Sequence, residues 1–167
     1  MDVNISFSRS SPLGNALLRW WEGLDGHRED RAQLRRAGSL TAVTLTPGFQ
    51  RFYRFLLAYG LPEIRSDSQR DRLAAIAGVL AHIRQQDERS FPASMAGEGD
   101  KPRVSELRFK RLLESPAIND LLVGLRRTLP LVGHGADPSK LANDIWFWGD
   151  KVRKEWAYAY PWSATST

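Results

Sequence analysis

The sequence predicts an all-α protein of two small helical bundles joined by a loop, and three observations lead there. A capping side chain stands directly before proline at Ser11-Pro12, Thr46-Pro47, Ser115-Pro116 and Asp137-Pro138. Such a pair starts a helix well: the side-chain oxygen accepts a first-turn amide, and proline there loses no needed N–H. Apolar residues after these marks recur every three or four positions, the period of an α-helix with one buried face. Strand signals are sparse, and only "LTAVTL" at 40–45 leans towards β.

After Pro12, Leu13, Leu17, Trp20 and Leu24 define one face of a first helix, closed by Gly26. A basic helical segment, "REDRAQLRRAG", follows and stops at Gly38. After Pro47, Phe49, Phe52, Tyr53, Leu56 and Leu57 share a side, and Gly60 terminates the helix. Residues 68–86 are Ala-rich and free of proline, which predicts one long helix with Leu73, Ile76, Ala77, Leu80 and Ile83 as its buried stripe. Residues 87–103 are dominated by Gly, Pro and charge and divide an N-terminal bundle, 1–86, from a C-terminal one, 104–162, with a tail at 163–167. The second half opens with the basic amphipathic stretch "VSELRFKRLLES". Ser115-Pro116 then starts a helix that Pro130 kinks or ends. Asp137-Pro138 starts the last helix, expected to run unbroken to about Tyr158.

Composition narrows the function. With 42% hydrophobic and 26% charged residues the chain reads as an ordinary soluble protein. It has no apolar run of membrane-spanning length and no signal-peptide pattern at its start, so a cytoplasmic location is expected. Cysteine is absent, and His27, His82 and His134 share no metal-ligand spacing. No nucleophile and base stand in a recognisable pattern. No cofactor, metal or small-molecule substrate is expected, and the protein is read as a non-enzyme.

The charge balance is +5, and apart from Lys101, Lys110, Lys140, Lys151 and Lys154 the basic residues are all arginine. A planar guanidinium suits phosphate and base edges better than an ammonium does. The arginines recur in groups: Arg35-Arg36, Arg108 with Arg111, and Arg126-Arg127. Lys151, Arg153 and Lys154 form another group, interleaved with aromatic residues. Those aromatics could be a base-stacking platform or a core seam. Leu141, Ile145, Trp148, Val152 and Trp156 keep helical spacing, which assigns the tryptophans to a seam and leaves the cations outside.

Two tracts extend this reading. "RVSELRFKRLLES…LLVGLRRTLPLV…LANDIWFWGDKVRKEWAYAY" in the second half and "ALLRWWEGLDG…DRAQLRRAGSL…FQRFYRFLLAYG" in the first resemble the CasB family. That family is the small subunit of the type I-E CRISPR surveillance complex, Cascade. The resemblance implies a non-catalytic, all-α subunit present as two copies. Its implied partners are the other Cascade subunits, the crRNA, the target DNA and a second copy of itself, with no membrane. It also implies contact with the crRNA–target region and the displaced strand, stabilising the R-loop in antiviral defence. Arg35 and Arg36 fall on the family's first arginine pair and Arg126 and Arg127 on its second. Arg108 and Arg111 lie in its basic helix, and Lys151 and Arg153 follow its aromatic-glycine turn. Asp150 departs from relatives that carry a basic residue there. The alternative from the residues alone is a helical protein-interaction adaptor, its arginines facing acidic partners.

Overall fold

The computed structural model describes residues 5–164. Residues 1–4, at the start of the expected N-terminal bundle, and 165–167, in the expected tail, lie outside the described residues. The helices are α1 (Pro12–Gly23), α2 (Arg28–Arg36), α3 (Leu40–Thr44), α4 (Pro47–Ala58), α5 (Asp67–Leu80), α6 (Glu106–Leu113), α7 (Ile118–Thr128), α8 (Pro138–Trp146) and α9 (Asp150–Ala159). Among the described residues there is no strand, so the all-α expectation holds.

Three of the four proline marks behave as read. Ser11, Thr46 and Asp137 each accept first-turn amides, from Gly14, from Phe49, and from Ser139 and Lys140. The fourth does not. Ser115 turns back to donate to the Leu112 carbonyl at 2.7 Å, closing α6, and α7 begins later, behind Ala117 without a side-chain cap. Gly14 in α1 is required by space: a Cβ there would sit 1.8 Å from the Ser8 carbonyl oxygen.

Helix α5 is the organising element. All eight residues from Leu73 to Leu80 are buried, because α2, α3 and α4 pack against it from one half of the sequence and α7 and α8 from the other. Each large aliphatic side chain so enclosed contributes roughly 2 kcal/mol. The buried side chains of both halves form one continuous cluster.

Four other expectations change. "LTAVT" is a short helix, capped when Ser39 accepts the Ala42 amide, and Leu45 beyond it is exposed. Its β-branched residues are outweighed by a good N-cap and by Leu40 and Val43 packing inward. The long helix ends at Leu80 rather than 86. The chain then pairs with the loop before α8: the Arg84 amide donates to the His134 carbonyl at 2.9 Å, and the Ala136 amide to Gln85 at 3.2 Å. Ile83 stays buried, and its carbonyl accepts the Trp21 indole N–H at 3.1 Å. Trp21, rather than Trp20, is therefore the more deeply buried tryptophan of α1.

The last helix is broken between α8 and α9 at Phe147–Gly149. Arg72 of α5 explains why the break is tolerated. Its guanidinium donates to the carbonyls of Ile145, Trp146 and Trp148, at 3.3, 3.3 and 2.9 Å, groups that an unbroken helix would satisfy itself. Despite the break, Ile145, Trp148, Val152 and Trp156 are all buried, and the two tryptophan rings meet edge to face. The segment 87–103 is also anchored, with Phe91, Ser94 and Met95 buried and Phe91 against Trp156.

Arg72→Ala is expected to lower stability to urea by roughly 2–3 kcal/mol, since charged hydrogen bonds to the carbonyls at the break are lost, of which that of Ile145 keeps the Trp148 amide. Arg65→Ala, which removes only an exposed pair with Glu63, is expected to change it by less than about 0.5 kcal/mol.

Candidate nucleic-acid interface

The residues singled out from sequence separate by position. Arg108 and Arg111 extend from α6, held by Ser105, which accepts the Arg108 amide. With Arg127 of α7 they line one groove of about 410 Å³, in which Asp120 is the acidic member. All three arginines are exposed, and none has an ion-pair partner among the described residues. Phe109, on the opposite face of α6, is fully buried and stacks on Tyr160 with ring centroids 4.1 Å apart. That contact fixes which way the α6 arginines face.

Arg126 behaves differently from its neighbour. Its side chain turns inward and donates to the carbonyl of Ala37, to that of Leu34 at 2.6 Å, and to that of Gly78 at 3.5 Å. It thereby caps the C-terminal end of α2 from across the core. Gly78 makes room for it: a Cβ there would come within 3.2 Å of the guanidinium. Burial lowers the Arg126 pKa, as it does that of Arg72. The pair read as one motif therefore places one guanidinium inside and one outside.

Lys151, Arg153 and Lys154 lie on α9. Both lysines are exposed, while Arg153 is half-buried and 3.6 Å from Asp150. Asp144 of α8 holds α9 in place by accepting the Trp156 indole N–H at 2.9 Å. Burial pushes the Asp144 carboxyl up to about 6; the indole bond works against this, and nearby Glu155 adds to it.

Arg35 is half-buried and Arg36 exposed at the end of α2. Arg35 joins Arg28, Arg31 and Arg84 around a separate concavity, a set the sequence reading did not assemble. Arg28, Arg31 and Arg35 are spaced for one helix face, and that signal was available. Arg84 reaches them only because α5 stops early. His82 is held neutral, its pKa lowered to about 4 by burial first and then by the charges of Arg126, Arg35, His134 and Arg84. Among the described residues no group of His, Asp or Glu is placed to hold a metal ion. No helix among the described residues is long and apolar enough to cross a membrane.

Set beside known proteins, residues 30–160 match the family model described as CRISPR-associated protein Cse2. The chain belongs to the Cse2 family. This is the CasB small-subunit family that the sequence resembles, and the matched span contains every basic residue named above except Arg28. A similar solved chain comes from the crystal structure of E. coli Cascade bound to a PAM-containing dsDNA target. It is 26% identical with a TM-score of 0.66, over 87% of this Cse2-family chain and 91% of that one. No curated protein matches the chain.

The two adjacent arginines should separate on substitution. Arg126→Ala is expected to destabilise the fold by roughly 2–4 kcal/mol, as buried carbonyls lose charged donors. Arg127→Ala is expected to stay within about 0.5 kcal/mol of the parent in the same urea titration. Asp144 gives a pH signature. In the unfolded chain it ionises near 3.8, so raising pH from about 4 to about 6 favours unfolding, and that loss persists above pH 6. Asp144→Asn is therefore expected to melt a few degrees higher than the parent at pH 7, the gap closing towards pH 4.

Proposed function

We propose that this chain is the small subunit of a type I-E Cascade complex. In this reading it binds nucleic acid without catalysis, contacting the crRNA–target region and the displaced strand and so stabilising the R-loop. The observation that carries the proposal is the groove between α6 and α7, where Arg108, Arg111 and Arg127 face one carboxylate and are otherwise unpaired. The Cascade chain that this one resembles lends support, since that complex is bound to DNA. The expected partners are the other Cascade subunits, crRNA, target DNA and a second copy of the chain.

The physical role follows from charge and rigidity. Exchanging a DNA duplex for a guide–target heteroduplex is nearly balanced in energy, and contacts to the backbone tip it. Sequence is read by the guide, so a subunit holding the displaced strand needs phosphate contacts and no base readout. Arginines on packed helices provide such contacts in fixed positions. Within this proposal Arg108, Arg111, Arg127, Lys151, Lys154 and Arg36 contact phosphate directly, and Arg153 contributes while sharing Asp150. Arg126 is a positioning residue that locks α7 to α2 so that Arg127 faces outward.

The adaptor reading draws on one observation. Leu131 lines the same groove, and Leu107 on α6 is 59% exposed. Crosslinking of the assembled complex separates the two: nucleic-acid adducts at α6 or α7 support the proposal, and protein adducts alone support the adaptor. The quantitative test is Arg108→Gln with Arg127→Gln. The variant is expected to melt like the parent yet shorten R-loop lifetime, and to reduce the slope of log affinity on log salt by about 0.7 per lost single-strand contact. An unchanged slope would remove the groove from the interface.

A further inference from the structure

Arg28, Arg31 and Arg35 lie at offsets 0, 3 and 7 along α2, so their side chains leave the same helix face. Arg84 joins them because the chain leaves α5 at Leu80 and is pinned by its amide bond to the His134 carbonyl. Together with Asp25 and Ala32 they surround a concavity of about 440 Å³ that shares no residue with the α6–α7 groove. Asp25 is the lone carboxylate in its wall, and Arg31 engages it at 3.0 Å. Arg28, Arg35 and Arg84 have no ion-pair partner among the described residues. The Arg31 Nε is buried without an acceptor. Four guanidinium charges against one carboxylate leave a net of three positive charges in one hollow.

Like charges are gathered here at an energetic cost that the single Arg31–Asp25 pair relieves only in part. A surface arginine normally points away from its neighbours into water. We propose that this concavity is a binding pocket for a compact, multiply charged phosphoryl group, either a phosphomonoester or a short polyphosphate. A backbone diester brings one negative charge, whereas a monoester brings about 1.5 to 2 near pH 7 and a diphosphate more. The guanidinium fork pairs with two phosphate oxygens at once, and a ring of such forks suits a tetrahedral anion better than an extended strand. The proposal does not rest on the nucleic-acid reading above.

Two sources could supply that chemistry, the terminal phosphate of a strand or a free nucleotide or polyphosphate. The test uses the intact chain, with inorganic pyrophosphate as probe and the arginine Nε–Hε NMR signals as readout. A saturable shift with one-to-one stoichiometry is expected. Arg28→Gln with Arg84→Gln should weaken it at least about tenfold, the loss of roughly 1.4 kcal/mol. Arg108→Gln with Arg127→Gln should leave it unchanged, which keeps failure here distinct from failure of the groove. Single strands with a 5′-phosphate or a 5′-hydroxyl then identify the source. A preference for the phosphorylated strand that disappears in the Arg28/Arg84 variant assigns a strand end, and equal binding of the two assigns a free anion. A pyrophosphate titration without saturation, or one that responds equally to both pairs of substitutions, overturns the proposal.

Discussion

Helix ends set the terms for this fold. The last carbonyls of a helix have no partner within it, and in a small protein with one crowded core they cannot all reach water. Here two arginines resolve the problem from outside the helices concerned. Arg126 of α7 satisfies the end of α2, and Arg72 of α5 satisfies the end of α8. Each guanidinium spans an inter-helix gap with several donors, so each fixes an angle between elements as well as capping one. Helix α5 can then be covered on all sides, because its neighbours end where they do without leaving polar groups stranded.

The same residue type thus serves two ends, and position decides which. An arginine whose stem runs along apolar surface and whose head meets backbone carbonyls is part of the frame. One whose head meets only solvent is available to a phosphate. The frame arginines turn the others outward: with Arg126 tied to α2, the next residue along α7 must face the groove. Charge on the outside therefore depends on charge buried inside.

Much of the architecture was legible in the sequence. Capping residues and helical periodicity located eight of the nine helices among the described residues, counting the broken last helix as two pieces of one expectation. The ninth, α3, was hidden by its β-branched composition, since a five-residue helix depends on its cap and on packing that no local window contains. The break before α9 was hidden because its cause, Arg72, stands 73 residues away from the first carbonyl it caps. The arginine pairs were visible, but the inward turn of Arg126 was not, because a pair of like residues looks symmetrical until a third element packs beside it. Arg84 illustrates the converse, a residue brought to a cluster by a helix that stops early. The stripe of Ile145, Trp148, Val152 and Trp156 was legible as a seam, since helical spacing survives a short interruption when both pieces pack inward.

The burial of α5 has a consequence for how the chain comes into being. Its covering helices α7 and α8 are encoded 38 or more residues downstream of its end, as read from Leu80 to Ile118. During synthesis an apolar helix is therefore complete before two of its walls exist. Its contacts are distant in sequence, which slows closure and leaves adhesive surface open while the ribosome works. Residues 87–103 set part of that delay, so the length of this segment is also a timing element in the birth of the protein.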